Sequence, residues 1–206
     1  SQEALGYFNE DIGIHPYDPV AYILRGTAYS RLSQHQQAIE DFDKAIWLDP
    51  KNVGTYIYRG NAYGDLGQYQ QAIEDFDKAI QLGYRMSYTF RIRGMAYAML
   101  GQYQLAILDY DKAIELDPDY VLAYDNRGGA YAKLEQYQRA VQDYDKAIQL
   151  DPDLADAYSN RGIAYSYQGQ YQRAIQDCMM PSRPSNWGAL PGRRSHPTEL
   201  KIRWRL

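Results

Sequence analysis

A glycine followed three residues later by tyrosine recurs at Gly26/Tyr29, Gly60/Tyr63, Gly94/Tyr97, Gly128/Tyr131 and Gly162/Tyr165, each pair 34 residues from the next without slippage. A fixed period of that length excludes a single irregular core. It predicts stacked copies of one small unit, each unable to bury its apolar face alone. Other positions keep the register. Alanines recur at Ala38, Ala72, Ala106, Ala140 and Ala174, aromatics at Phe42, Phe76, Tyr110 and Tyr144, and a second alanine at Ala45, Ala79, Ala113 and Ala147. A Leu-Asp-Pro stop ends three units, at Pro50, Pro118 and Pro152.

Within a unit, apolar residues fall at three- and four-residue spacing in two stretches. Tyr56, Gly60 and Tyr63 mark the first, and Ile73, Phe76, Ala79 and Ile80 the second. That spacing predicts two amphipathic helices per repeat and no strand. Gly67 and Gly101 supply the left-handed residue that ends a first helix. Each proline ends a second helix, because the residue before proline is pushed out of helical geometry. The second repeat departs from its neighbours by ending Gln81-Leu82-Gly83-Tyr84. Its length is unchanged, so Gly83 is expected to serve as the stop.

Small, aromatic and proline positions at these spacings resemble the tetratricopeptide repeat, over residues 4 to 177. The resemblance implies an all-α, right-handed superhelical solenoid of stacked antiparallel helix pairs. It also implies a concave groove lined by the first helices, which in this family holds protein or peptide partners. Residues 1–18 match the second helix of a truncated repeat, as if the chain were a fragment of a longer array. Residues 19–180 form the solenoid, with repeats starting at 19, 53, 87, 121 and 155, the last of them incomplete.

From residue 179 the register is lost. The tail carries Arg183, Arg193, Arg194, Lys201, Arg203 and Arg205 against Glu199 alone, whereas the body before it is net acidic. Residues 181–206 are therefore expected to be a basic, Pro/Arg-rich irregular tail. A shifted reading frame would produce such a switch; a genuine extension is the alternative. Basic residues with Trp187 and Trp204 raise nucleic-acid or membrane-surface attachment as a third function class. The acidic body opposes it, so no nucleic-acid partner is expected. No apolar stretch is long enough to span a membrane. Oligomeric state and compartment are not legible, and a cytoplasmic setting is only the default.

Chemistry is sparse. One cysteine, Cys178, excludes an internal disulfide, and His15, His35 and His196 share no ligand spacing. His35 stands where other repeats have tyrosine, which predicts a core substitution. Carboxylate pairs recur at Asp41/Asp43, Asp75/Asp77, Asp109/Asp111 and Asp143/Asp145, and symmetry of that kind belongs to scaffolding rather than catalysis. Arg25, Arg59, Arg93, Arg127 and Arg161 each precede the repeat glycine. The sixteen-residue step from Arg93 to Asp109 predicts a structural arginine–aspartate ladder. No phosphate loop, nucleophile set or metal cluster is present, so no catalytic, cofactor-binding or metal-ligating residue is expected.

The reading that follows is a non-catalytic interaction scaffold. The alternative is the repeat region of a larger enzyme or signalling protein, positioning substrates for a catalytic domain elsewhere. The register places exposed groove positions on the first helices. Those expected to bind a partner are Ile57, Asn61, Tyr88, Arg91, Met95, Met99, Asn126, Lys133 and Tyr167. Some family members clamp carboxylates at chaperone tails. Here Arg91, Asn126 and Asn160 are the nearest match to that clamp, but Met95 and Asp156 stand where it needs Asn and Lys, so chaperone-tail binding is not implied. The apolar members of the set suit an extended or helical peptide with hydrophobic anchors.

Overall fold

A computed structural model describes residues 2–179, and these form eleven α-helices with no strand among the described residues. A lone helix α1 (Gln2–Ile14) precedes five hairpins. The hairpins are α2 (Pro19–Arg31) with α3 (His35–Leu48), α4 (Val53–Asp65) with α5 (Tyr69–Gln81), and α6 (Ser87–Met99) with α7 (Tyr103–Leu116). Two more follow, α8 (Val121–Lys133) with α9 (Tyr137–Leu150), and α10 (Ala155–Tyr167) with α11 (Tyr171–Cys178). The tail from residue 180, and with it the expectations for 181–206, lies outside the described residues.

The repeat glycine is required by close packing. A Cβ built on Gly26, Gly60, Gly94 or Gly128 would lie 2.6–2.8 Å from a ring carbon of Phe42, Phe76, Tyr110 or Tyr144. The two helices of a hairpin therefore approach until an aromatic ring of the second rests on the bare backbone of the first. Those rings and the two alanine rows are almost wholly buried. In the fifth repeat Cys178 takes the ring's place, and the Cβ contact at Gly162 relaxes to 3.3 Å or more.

Each hairpin turn needs one residue in the left-handed region. Gly67, Gly101 and Gly169 supply it at φ near +70°, while Ser33 and Glu135 adopt it without being glycine. Gly83 also has a positive φ, +97°, and Tyr84 N–H bonds back to Ala79 C=O, so it ends α5 as expected. The tyrosines that open first helices have a further role. Tyr22, Tyr56 and Tyr124 donate their hydroxyls to the carbonyls of Pro16, Pro50 and Pro118, tying each first helix to the stop before it.

The arginine–aspartate ladder is present and longer than expected. Arg93 makes a two-point contact to Asp109 in its own hairpin, Nε to Oδ2 at 2.8 Å and Nη2 to Oδ1 at 2.5 Å. Its Nη1 also reaches Asp77 of the preceding repeat at 2.5 Å. Arg59, Arg127 and Arg161 repeat the arrangement with Asp75 and Asp43, Asp143 and Asp111, and Asp177 and Asp145. Arg25 pairs with Asp41 and finds Asn9 of α1 in place of the second acid. So α1 occupies the position of a second helix, and each arginine staples two second helices to the first helix between them. Burial works against the charge on Arg93, but hydrogen bonds and attraction from Asp109 and Asp77 outweigh it and raise its pKa.

Candidate functional site

Successive first helices touch one another, as α2 does α4, α6 does α8 and α8 does α10, whereas no two second helices come as close. First helices thus line the inside of the curve, where the candidate groove lies. The spacing of these helices also corrects the expectation that all the groove residues are exposed. Ile57, Arg91 and Met95 are buried, at 7%, 8% and 8% exposure. They sit in the seam where one first helix leans on the next. Ile57 joins the core cluster with Ile92 and Ala96, and Met95 packs with Ala98, Tyr110 and Ala130. Asn61, Tyr88, Met99 and Asn126 are half-buried, and Lys133 is exposed. Tyr167 is exposed but stacks on Tyr137, ring centroids 4.8 Å apart, away from the others.

The structure brings Asn61, Tyr88, Arg91, Met95 and Asn126 into one polar cluster. Asn61 Nδ2 donates to Tyr88 Oη at 3.4 Å. The Arg91 guanidinium lies 5.6 Å from the ring centroids of both Tyr88 and Tyr120. It donates through Nε to Tyr120 Oη at 2.6 Å, and through Nη1 to Met95 Sδ at 2.9 Å and Asn126 Oδ1 at 3.5 Å. Burial pushes the Tyr88 hydroxyl pKa up, with Arg91 and Asn61 pulling partly back. Every partner of Arg91 is neutral. Among the described residues this buried cation has no carboxylate within ion-pair distance, unlike the five ladder arginines.

Tyr120, which closes the cluster, was not among the expected groove residues. It precedes α8 and belongs to the inter-repeat turn, so no helical register points to it. Asp125 faces the groove by register, although it is not among the residues expected to bind a partner. It lies on α8 next to Asn126 and accepts one hydrogen bond, from Asn160 Nδ2 at 3.4 Å. Burial drives its carboxyl pKa up to about 6, Asn160 opposes the shift, and repulsion from Asp156 adds to it.

His35, expected as a plain core substitution, is half-buried with Nδ1 3.5 Å from Asp65 Oδ2 of the next repeat. A cavity of about 700 Å³ opens at the hairpin ends of the last two repeats, lined by Tyr137, Val141, Tyr165, Arg173 and several glutamines, apart from the Arg91 cluster. Among the described residues no group of His, Cys, Asp and Glu could hold a metal ion, and no helix is long and apolar enough to cross a membrane.

Stacked helical hairpins on a 34-residue period, with small residues at the crossings and a groove on the inside, define a helical-repeat interaction scaffold. Profiles for the tetratricopeptide repeat match residues 19–52 and 54–82, and TPR repeat profiles match 94–135 and 128–169. The chain belongs to the tetratricopeptide repeat family. Solved structures of MamA are 29% and 30% identical to it, at TM-scores of 0.72 and 0.69. They cover 78% and 74% of this chain, and it covers 87% and 89% of theirs. YrrB, described as a TPR protein with an unusual peptide-binding site, is 26% identical at a TM-score of 0.68, covering 82% of this chain and 88% of its own. No curated protein matches the sequence.

Proposed function

We propose that this protein is a non-catalytic scaffold that holds a peptide or an extended protein segment in its inner groove, centred on Tyr88, Arg91 and Asn126. One observation carries the reading, the buried Arg91 cation without a counter-charge. Burying an unpaired guanidinium costs free energy, and the ladder residues show that this fold readily supplies carboxylates where an arginine is structural. A site held open to an external acceptor explains why Arg91, the one buried arginine among the described residues, is left with neutral partners. Membership of a scaffold family supports the reading, as does the described peptide site of YrrB. Ile57 and Met95, being buried, shape the groove wall from behind. Asn61, Tyr88, Met99 and Asn126 present the contact surface, and Lys133 lies toward its edge.

The test is selection of binding peptides from a random display library on the full chain, followed by affinity measurement. Tyr88→Ala with Arg91→Ala should weaken the selected peptides by about 2 kcal/mol, roughly 30-fold, with helical content unchanged. Asp77→Ala with Lys78→Ala, on the outer face, should leave affinity intact. The reverse pattern would assign binding to the outer face.

A further inference from the structure

Arg91 and Asp125 occupy the same register position in consecutive repeats, 34 residues apart. The corresponding position is Ile23 and Ile57 before them and Ser159 after. Two opposite charges thus stand side by side in a row that is otherwise uncharged. Neither is in an ion pair among the described residues, with the other or with anything else. Each instead meets the asparagine of the next repeat, 35 residues on: Arg91 meets Asn126 and Asp125 meets Asn160.

The two asparagines are turned opposite ways, and the chemistry forces it. A guanidinium only donates, so Asn126 must offer Arg91 its carbonyl. A carboxylate only accepts, so Asn160 must offer Asp125 its amide nitrogen. Each amide then has its other end free. Beside Arg91 the free groups are donors, the Asn126 Nδ2 hydrogens and Arg91 Nη2. Beside Asp125 they are acceptors, Asn160 Oδ1 and Asp125 Oδ2, with the exposed Asp156 carboxylate near them. Buried polar atoms lacking a partner are confined among the described residues to His35 Nδ1, Thr55 Oγ1, Asn61 Oδ1 and Thr89 Oγ1. The free ends at these four side chains therefore reach solvent.

We infer that the groove selects a segment charged in both signs: an acidic side chain at Arg91 and Asn126, and a lysine or arginine side chain one repeat further along, at Asp125, Asn160 and Asp156. The inference rests on the groove reading and adds the chemistry of the partner. Buried Arg91 and half-buried Asp125 each lack a countercharge, and an acid and a base on one segment supply both. A wholly acidic segment would set a carboxylate against Asp125 and Asp156, and a wholly basic one would set an ammonium against Arg91. Neighbouring packed helices lie about 10 Å apart, and an extended chain advances about 3.3 Å per residue. The acid and the base should therefore be about three residues apart.

The experiment is an array of twelve-residue synthetic peptides on a fixed uncharged framework, probed with the full chain. Glu and Lys are placed in both orders at separations of about one to six residues, with all-Glu, all-Lys and charge-free controls. Mixed peptides of one order, at a separation near three, should bind about 10-fold or more tighter than either single-sign control. Asp125→Asn with Asp156→Asn should reduce them to the all-Glu level, and Arg91→Met should reduce them to the all-Lys level. Single-sign peptides binding the native chain as well as mixed ones would overturn the inference while leaving the groove reading in place, and so would a lysine preference that survives the Asp changes. Binding of no peptide at all, or binding indifferent to Tyr88→Ala with Arg91→Ala, would remove the groove reading and the inference together.

Discussion

Arg91 and Arg93 stand two residues apart on α6, about 200° around its axis. Arg93 faces the second helices and is held by two carboxylates, as Arg59, Arg127 and Arg161 are in their repeats. Arg91 faces the groove, is more deeply buried, and has no carboxylate partner, and no other repeat has an arginine at its position. In a repeat protein, a charge that recurs with its countercharge is part of the frame. A charge that occurs once and lacks a countercharge is explained by something outside the frame. The same contrast holds between Asp109, gripped at two points by Arg93, and Asp125, which has only the Asn160 amide.

The largest effect should come from breaking the frame. Asp109→Ala leaves Arg93 with Asp77 alone at a crossing where Asp109 itself is 5% exposed. Unfolding free energy should fall by about 3 kcal/mol. Removing Arg93 as well should restore part of the loss, and a double-mutant cycle by urea unfolding measures the coupling. A coupling near zero would place Arg93 and Asp109 among solvated charges and erase the contrast with Arg91.

Next in size is the groove acid, with the opposite sign. The folded carboxyl of Asp125 titrates at about 6, above the ordinary aspartate value near 3.9 in the unfolded chain. Between those values the folded state keeps a proton that the unfolded state has lost. The contribution of Asp125 to stability therefore falls as pH rises from about 4 to about 6, and stays low above that. Asp125→Asn removes this fall. The variant should be more stable than the native chain at pH 7, by about 2 kcal/mol, and indistinguishable from it near pH 4. Paired melts at the two pH values check the prediction. A variant destabilised at pH 7 would mean that Asp125 holds the frame, as Asp109 does.

The smallest effect should be at the outer rung of the ladder. Asp77 is 39% exposed, where solvent screens its contact with Arg93. Asp77→Ala should cost about 0.5 kcal/mol, the range of surface ion pairs, and less in high salt. A loss as large as that from Asp109→Ala would show that the rungs between repeats, rather than those within hairpins, carry the cohesion of the array.

The sequence by itself determined the fold, because each repeat states the same local instructions. Gly94 must be bare for Tyr110 to pack on it, Gly101 must take a positive φ, and Pro118 must end α7; periodic placement makes these readable in one dimension. The ladder step from Arg93 to Asp109 was legible for the same reason, since it spans a single hairpin of fixed length. Its second rung, to Asp77, also has constant spacing, but it runs backward into the preceding repeat and follows only from how hairpins stack. The groove was legible as a register and not as a surface. Helical spacing names Ile57, Arg91 and Met95 as inward-facing, but only the approach of one first helix to the next decides that they are buried. Tertiary structure alone brought Tyr120 from a turn onto Arg91 and set Asn160 against Asp125. Such contacts depend on the distance between neighbouring repeats, which arises from the packing of all their side chains together and is written at no single position in the chain.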